Sequence, residues 1–431
     1  MTKLTTETKY RLLLAISQEI SRSLDLQDVL QHLVAYVGSA VGYDAAGIFV
    51  LNRRVSISPR SGGNLIAGMA TVGFSQDPNP DDQMLSSGKG IVGHVIRTGD
   101  TVVTPDVSRD PRYVCGRQST RSEVAVPIVS NMQVIGALNL ESDRLDAYTP
   151  EDAELLEFFA TAAALAIEKA ILHVQALETD RFRQQLDIAR EVQTCLLPGS
   201  PPSVPGYDIA GLCLSSLEIG GDYFDYIRFR DGRLGLVVAD VSGKGVPAAL
   251  IMATFRAALR TEARREHNIP RVIGEVNRVL RQSMEASRFV TAVYGVLDPG
   301  AGSLTYVNCG HNPPVLLSAD GTRTLLNHGV SALGMFRGAP PDTETVTLAP
   351  GDVLVLYTDG VIETWDSHDD DYGLPRLETL VRQSAGLDAH TIIDRVVAST
   401  QAFTGRSHYD DDFTLMVVRR TAGTSPADAH T

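Results

Sequence analysis

The segment "LGLVVADVSGKGVPAALIMA" (234–253) runs apolar, reaches the carboxylate of Asp240, turns through two glycines and a lysine, and resumes in an apolar pattern of helical spacing. A carboxylate at the end of a buried strand admits three readings. In the first, Asp240 or Ser242 caps the following helix, an ordinary role for these residue types. The second, a phosphate-cradling P-loop, is excluded, because Gly245 stands where Ser/Thr is required after Gly243-Lys244. The third makes Asp240 a metal ligand, and it obliges the chain to supply more carboxylates from other strand ends.

The chain supplies them. "EIGGDYFDY" places Asp222 behind a glycine pair, "LVLYTDGV" places Asp359 after an apolar run, and "YDDDFTLMVV" places Asp410, Asp411 and Asp412 before another. Each acid alone reads as a turn or cap residue. Together they point to one site, and Gly220, Gly221, Gly243 and Gly360 beside them permit tight turns and close backbone approach. Converging carboxylates without basic partners raise one another's pKa, whereas divalent cations hold them ionised. Ligands that are all oxygen indicate Mg²⁺ or Mn²⁺, since zinc normally brings His or Cys. Several such ligands suit two ions about 3.5–4 Å apart that share an activated water, so no protein nucleophile is needed.

Other reactive residues fit chemistry less well. Cys309 and His311 lie in "CGHNPP", which reads as a rigid turn. Lys244 is open to two readings, a phosphate attractor or a solvated loop lysine. Cys115 and Arg121 in "CGRQSTR" have the Cys, five residues, Arg spacing of cysteine-dependent phosphatases. That chemistry needs a glycine-rich cradle and a following helix, but a strand, "SEVAVPI", follows here.

These residues must be positioned by a chain of 431 residues, long enough for two or three domains. Its 43% hydrophobic and 21% charged residues indicate a globular protein, and its net charge of −14 argues against nucleic acid as a partner. Cys115, Cys195, Cys213 and Cys309 have no paired close spacing, which fits a reducing, cytoplasmic setting. There is no signal-peptide pattern, and "LEFFATAAALAI" is too short to cross a bilayer, so membrane insertion is not expected. Helical spacing at Leu12, Leu13, Ile16, Ile20, Val29, Leu30, Leu33, Val34 and Val37 predicts two opening helices. Short β-rich runs follow, giving an α+β unit. Residues 151–197 contain neither Gly nor Pro and predict one helix of about 70 Å. Its apolar stripe (Ile167, Ile171, Val174, Phe182, Leu186, Ala189, Val192, Leu196), interrupted at Glu178 and Gln185, suits pairing with a second copy. "PGSPPSVPGYD" then marks a domain boundary. Beyond it, six strands alternate with helices near 246–264, 269–286, 374–384 and 389–403, and strand pairs without an intervening helix imply a layered, antiparallel α+β fold. The tail "TAGTSPADAHT" reads as disordered.

The segments "AREVQTCLLP", "IGGDYFD", "VADVSGKGVPAAL", "CGHNPP", "LYTDGV" and "DDFTLMVV", in this order over residues 189–418, resemble the SpoIIE/RsbU branch of the PPM-type, metal-dependent serine/threonine phosphatases. The resemblance implies an α/β/β/α sandwich. It also implies that Asp240 bridges two ions, that the Val241 carbonyl faces the second, that Asp359 and Asp411 bind metal directly, and that Asp222 does so directly or through water. Relatives with a general-acid His just after the bridging Asp differ from this chain, whose loop reads Ser242-Gly243-Lys244. Residues 8–172 resemble a GAF sensor domain, carried by "GKGIVGHVIRTGDTVVTPDVSRDPRY" and "EVAVPIVSNMQVIGALNLES". The signatures of cyclic-nucleotide-binding and bilin-binding members are missing, His94 reads as a core residue, and the ligand is not indicated. The implied organisation is a GAF domain (8–172), a signalling helix (151–197), a phosphatase domain (198–420) and a tail (421–431). The expected function is dephosphorylation of a phosphoprotein, an anti-sigma-factor antagonist by resemblance, by a homodimer. A catalytically inactive scaffold and a small-molecule phosphohydrolase are the alternatives.

Overall fold

The structure, a computed structural model, describes residues 25–51, 66–74, 89–285, 287–335 and 341–421. The expected helix carrying Leu12, Leu13, Ile16 and Ile20, and the tail beyond Thr421, lie outside the described residues. The chain divides into two units, Met1–Arg181 and Phe182–Thr431.

In the first unit, the Asp25 carboxylate accepts the N–H groups of Gln27 and Asp28 and so starts α1 (Leu26–Ala40). An antiparallel sheet follows, built from β1 (Ala45–Leu51), β2 (Ile66–Val72), β3 (Val102–Thr104), β4 (Ser122–Ser130) and β5 (Gln133–Ser142) in the order β2-β1-β5-β4-β3. Alternate side chains serve opposite faces. Ile48, Val124, Val126 and Leu138 pack against α1 and the start of a long helix α3 (Pro150–Leu196). Ala125 and Ala137 face α2 (Gly90–Thr98), which contributes Ile91, Val95 and Ile96 to the core while His94 is only half-buried. On that same face Glu123 and Glu141 are cross-strand partners, linked through Asn139, whose Nδ2 donates to Glu123 Oε1 at 3.1 Å and Glu141 Oε1 at 3.4 Å. Burial and the neighbouring Glu141 push the Glu123 carboxyl up to about 8.

α3 spans 47 residues. Its apolar stripe divides: Ile167 is buried in the first unit's core with Ile171 packed against it, Leu196 packs into the second unit, and Val174, Phe182 and Val192 are exposed.

The second unit has four layers. One sheet contains β7 (Tyr223–Arg228), β8 (Leu234–Val241), β9 (Val290–Asp298), β10 (Ser303–Cys309) and β13 (Gly329–Val330), with β14 (Glu344–Thr347) also on β10. The other contains β6 (Tyr207–Leu214), β11 (Val315–Leu317), β12 (Arg323–Leu325), β15 (Val353–Tyr357) and β16 (Phe413–Arg420). Phe224, Tyr226, Leu236, Val238, Leu354, Leu356, Met416 and Val418 fill the space between the sheets. The odd-numbered side chains of β8 (Val237, Ala239, Val241) face outward onto α4 (Val246–Arg265) and α5 (Ile269–Ser283). On the outer side of the second sheet lie α7 (Gly373–Ser384) and α8 (Ala389–Thr404), after a single turn α6 (Asp359–Ile362). Pairing is antiparallel throughout except for β10 with β13.

Candidate metal centre

Register places the acids. β7 and β8 pair Tyr223 with Ala239, and β15 and β16 pair Tyr357 with Leu415, so the start of one strand lies beside the end of the other in both sheets. Within each strand the even-numbered residues face the inter-sheet space. Continuing that alternation by one step puts Asp222, Asp240, Thr358 and Asp412 at one rim of the sandwich. Asp359 and Asp411 adjoin Thr358 and Asp412 in sequence.

Hydrogen bonds tie the rim together. Thr358, fully buried, donates from Oγ1 to Asp222 Oδ2 at 2.8 Å and accepts the Thr414 N–H at 3.0 Å. Asp412 is engaged entirely by the loop before β7. Its Oδ1 accepts Ser216 N at 2.8 Å and Ser216 Oγ at 3.0 Å, and its Oδ2 accepts Gly221 N at 2.7 Å and Asp222 N at 3.4 Å. A Cβ on Gly220 would stand 2.2 Å from Asp412 Oδ2, and one on Gly360 would stand 2.0 Å from the Asp412 carbonyl oxygen, so both glycines are required by close approach. A Cβ on Gly221 would likewise press on the Val241 carbonyl at 2.9 Å. The last turns of α3 reach the same loop: Gln193 Nε2 donates to Gly220 O at 2.7 Å, and Gln193 Oε1 accepts Gly220 N at 3.1 Å.

The electrostatics are those of crowded acids. Burial and the Asp240 carboxylate raise Asp222 well above the usual range. Burial and the charges of Asp359 and Asp411 push Asp240 up to about 7, and burial with Asp411 raises Asp359. Among the described residues the one cation in ion-pair contact with these acids is Lys244, whose Nζ lies 3.0 Å from Asp411 Oδ2 and donates to the Asp410 carbonyl at 2.7 Å. Lys244 thus ties the β8–α4 loop to the loop before β16. As the side chains stand, no three described Asp, Glu, His or Cys residues form a ready ligand shell. The donor set nonetheless fits a hard divalent cation. It is all oxygen, and Asp222 and Asp240 repel each other with no cationic side chain on either.

The remaining sequence candidates have structural surroundings. His311 is buried, with Nδ1 2.8 Å from Thr291 Oγ1 and Nε2 3.1 Å from the Tyr357 carbonyl, and burial lowers it to about 4. Cys309 is fully buried, and its thiol is pushed up to about 12, which removes it as a nucleophile. Cys115 is exposed and is followed by turns and then β4, not by a helix. Sequence reasoning missed Thr358, Gln193 and the clamping role of Asp412. The alternation along β15 and β16 carried the only signal for the first and last.

Residues 230–421 match the family model described as stage II sporulation protein E (SpoIIE), and residues 23–168 match that described as GAF domain. The chain joins a GAF domain to a SpoIIE-type domain. Among curated relatives, Protein IcfG of Synechocystis sp. is 29% identical over 55% of this chain and 42% of its own length. Phosphoserine phosphatase RsbU of Bacillus subtilis is 27% identical over 56% of this chain and 71% of its own. This chain therefore spans less than half of the first relative and about seven-tenths of the second. The SiaA-PP2C domain of Pseudomonas aeruginosa, 24% identical over 57% of this chain and 99% of that one, superposes with a TM-score of 0.51 and shares the fold. The rim of the SpoIIE-type domain is formed by residues 222–412, and part of it, Asp222, lies before the matched segment.

Proposed function

We propose that this chain is a divalent-cation-dependent phosphatase that hydrolyses phosphoserine or phosphothreonine on a protein, controlled by its GAF domain. The observation that carries the reading is the rim, where Asp222 and Asp240 are held side by side without a cation of the chain on either. In this assignment Asp222, Asp240, Asp359 and Asp411, with the Val241 carbonyl, would hold the Mn²⁺ or Mg²⁺ ions. When bound, such ions lower the pKa of a water toward neutrality and offset charge on the phosphoryl oxygens. The chain's own part is to fix the donors: Asp412 holds the Gly221 loop, Thr358 orients Asp222, and the glycines admit the backbone. Cys309 and His311 are engaged in the core, so the leaving oxygen takes its proton from water or from a group outside the predicted set.

The substrate class is supported by similarity to the phosphoserine phosphatases RsbU and RsbP of Bacillus subtilis. An anti-sigma-factor antagonist in a cytoplasmic partner-switching system is the specific case we propose. No helix among the described residues is long and apolar enough to cross a membrane. Self-association through the linker helix and GAF domain is supported by exposed Val174, Phe182 and Val192.

The test is metal-dependent turnover of a phosphoseryl peptide. Chelation should abolish phosphate release and added Mn²⁺ should restore it. Asp240→Asn, folded by circular dichroism, should lose at least about 100-fold in kcat, since several kcal/mol of charge stabilisation are removed at 1.36 kcal/mol per decade. Near-normal turnover by that variant at saturating Mn²⁺ would sink the assignment. Phosphoprotein binding without turnover by the wild type would mark a scaffold, and a preference for phosphorylated metabolites a small-molecule phosphohydrolase.

A further inference from the structure

Arg256, Arg260 and Arg264 recur every four residues along α4, so they share one face of the helix. The first donates through Nε to the Leu196 carbonyl at 2.7 Å. The second forks onto the buried Asp225 carboxylate, Nε to Oδ2 at 2.5 Å and Nη2 to Oδ1 at 3.0 Å. That leaves further N–H groups of the five on its guanidinium. The third, Arg264, is exposed, as is Arg228 at the end of β7, and among the described residues neither has a carboxylate in ion-pair contact. Arg228, Arg260 and Arg264 line a cleft of 310 Å³ together with Pro198, Ser200 and Pro202 of the segment that follows α3.

In a chain of net charge −14, a cleft with three guanidiniums and two of them unpaired is an anion site in search of its anion. We propose that it binds the phosphate group of a small phosphorylated molecule. Three planar forks suit a group that offers three strong acceptor oxygens and a charge near −2, whereas a carboxylate offers two oxygens and one charge. The cleft's volume is at the lower end of small-ligand sites and does not match an extended protein surface. It is distinct from the acid rim. Arg228 lies at the other end of β7, about 20 Å along the strand from Asp222, and Arg264 is about 27 Å along α4 from its first turn beside the Asp240 loop. A ligand there would bridge the segment leaving α3 to the strand and helix that lead to the rim.

The experiment is calorimetric titration of the full chain carrying Asp240→Asn, in chelator, so that neither turnover nor ions at the rim contribute. The probes are inorganic phosphate and ribose 5-phosphate. Saturable one-to-one binding is expected. Adding Arg228→Ala and Arg264→Ala should weaken it by at least about tenfold, and Arg264→Lys, which keeps the charge but loses the fork, should weaken it by about threefold or more. Binding of the sugar phosphate identifies a phosphomonoester ligand, and binding of phosphate alone identifies free phosphate; either supports the site. Without Asp240→Asn, the double arginine variant should retain wild-type basal turnover of a phosphoseryl peptide, so loss of anion binding and failure of the phosphatase assignment are read separately. No saturable binding of either probe, or undiminished binding by the folded double variant, overturns the proposal.

Discussion

Asp411 and Asp412 are adjacent in a run of three aspartates, and strand alternation gives them opposite surroundings. Asp411 is half-exposed against Lys244, while Asp412 is buried and accepts four hydrogen bonds from the loop before β7. Removing Asp412 strands buried N–H groups that were bonded to a charge. Asp412→Ala should therefore lower stability by about 3 kcal/mol in urea unfolding, whereas Asp411→Asn should stay within about 1 kcal/mol and instead raise the Mn²⁺ concentration needed for half-maximal turnover. The sequence showed that acids gather before β16, but it could not separate the three, because the distinction depends on which carboxylate meets a loop some 190 residues earlier. A second prediction concerns Glu123. Its folded pKa, about 8, lies above its ordinary value of 4.5, so between those pH values the folded state keeps a proton that the unfolded state releases. Stability contributed by this group falls as pH rises through that window. The midpoint of the calorimetric transition should fall less from pH 5 to pH 8 in Glu123→Gln than in the wild type. Equal falls would show that Glu123 titrates normally.

At the scale of elements, the long strands and helices of the second unit were legible because each carries its own apolar periodicity. β11 to β14 were not. They are two to four residues long, too short for a periodic pattern, and exist through pairing with β10 or β15 or with one another. α3 was legible as a helix, but the division of its stripe was not, since a helix that serves two cores and also keeps exposed apolar residues looks uniform in one dimension. Gln193 was hidden for the same reason: a polar residue near a helix end reads as surface, yet its amide closes both backbone groups of Gly220, two residues before Asp222. Gln193→Ala would leave that peptide unpaired and the loop free to shift. The expected outcome is a 10- to 100-fold rise, on the order seen when outer supports of metal sites are removed, in the Mn²⁺ concentration for half-maximal turnover. An unchanged metal requirement would reduce Gln193 to a packing residue.

At the scale of the molecule, exposed Phe182 and Val192 lie ten residues apart, a three-plus-seven spacing that returns to one seam of a paired helix. Phe182→Glu with Val192→Glu should halve the sedimentation mass if α3 pairs with a second copy. A mass unchanged from a monomeric wild type would remove the dimer from the account. The second sheet has one more property. β16 lies between β15 and β6, pairing Tyr357 with Leu415 on one side and Tyr207 with Arg420 on the other. A central strand is thus the last of its sheet to leave the ribosome. Until about residue 420 has emerged, β6 and β15 have no common neighbour, and Asp412 cannot yet clamp the loop that bears Asp222. Such long sequence separations slow folding, so a nascent or prematurely terminated chain has no assembled rim, and the site we propose as catalytic is withheld from every fragment that stops short of this strand.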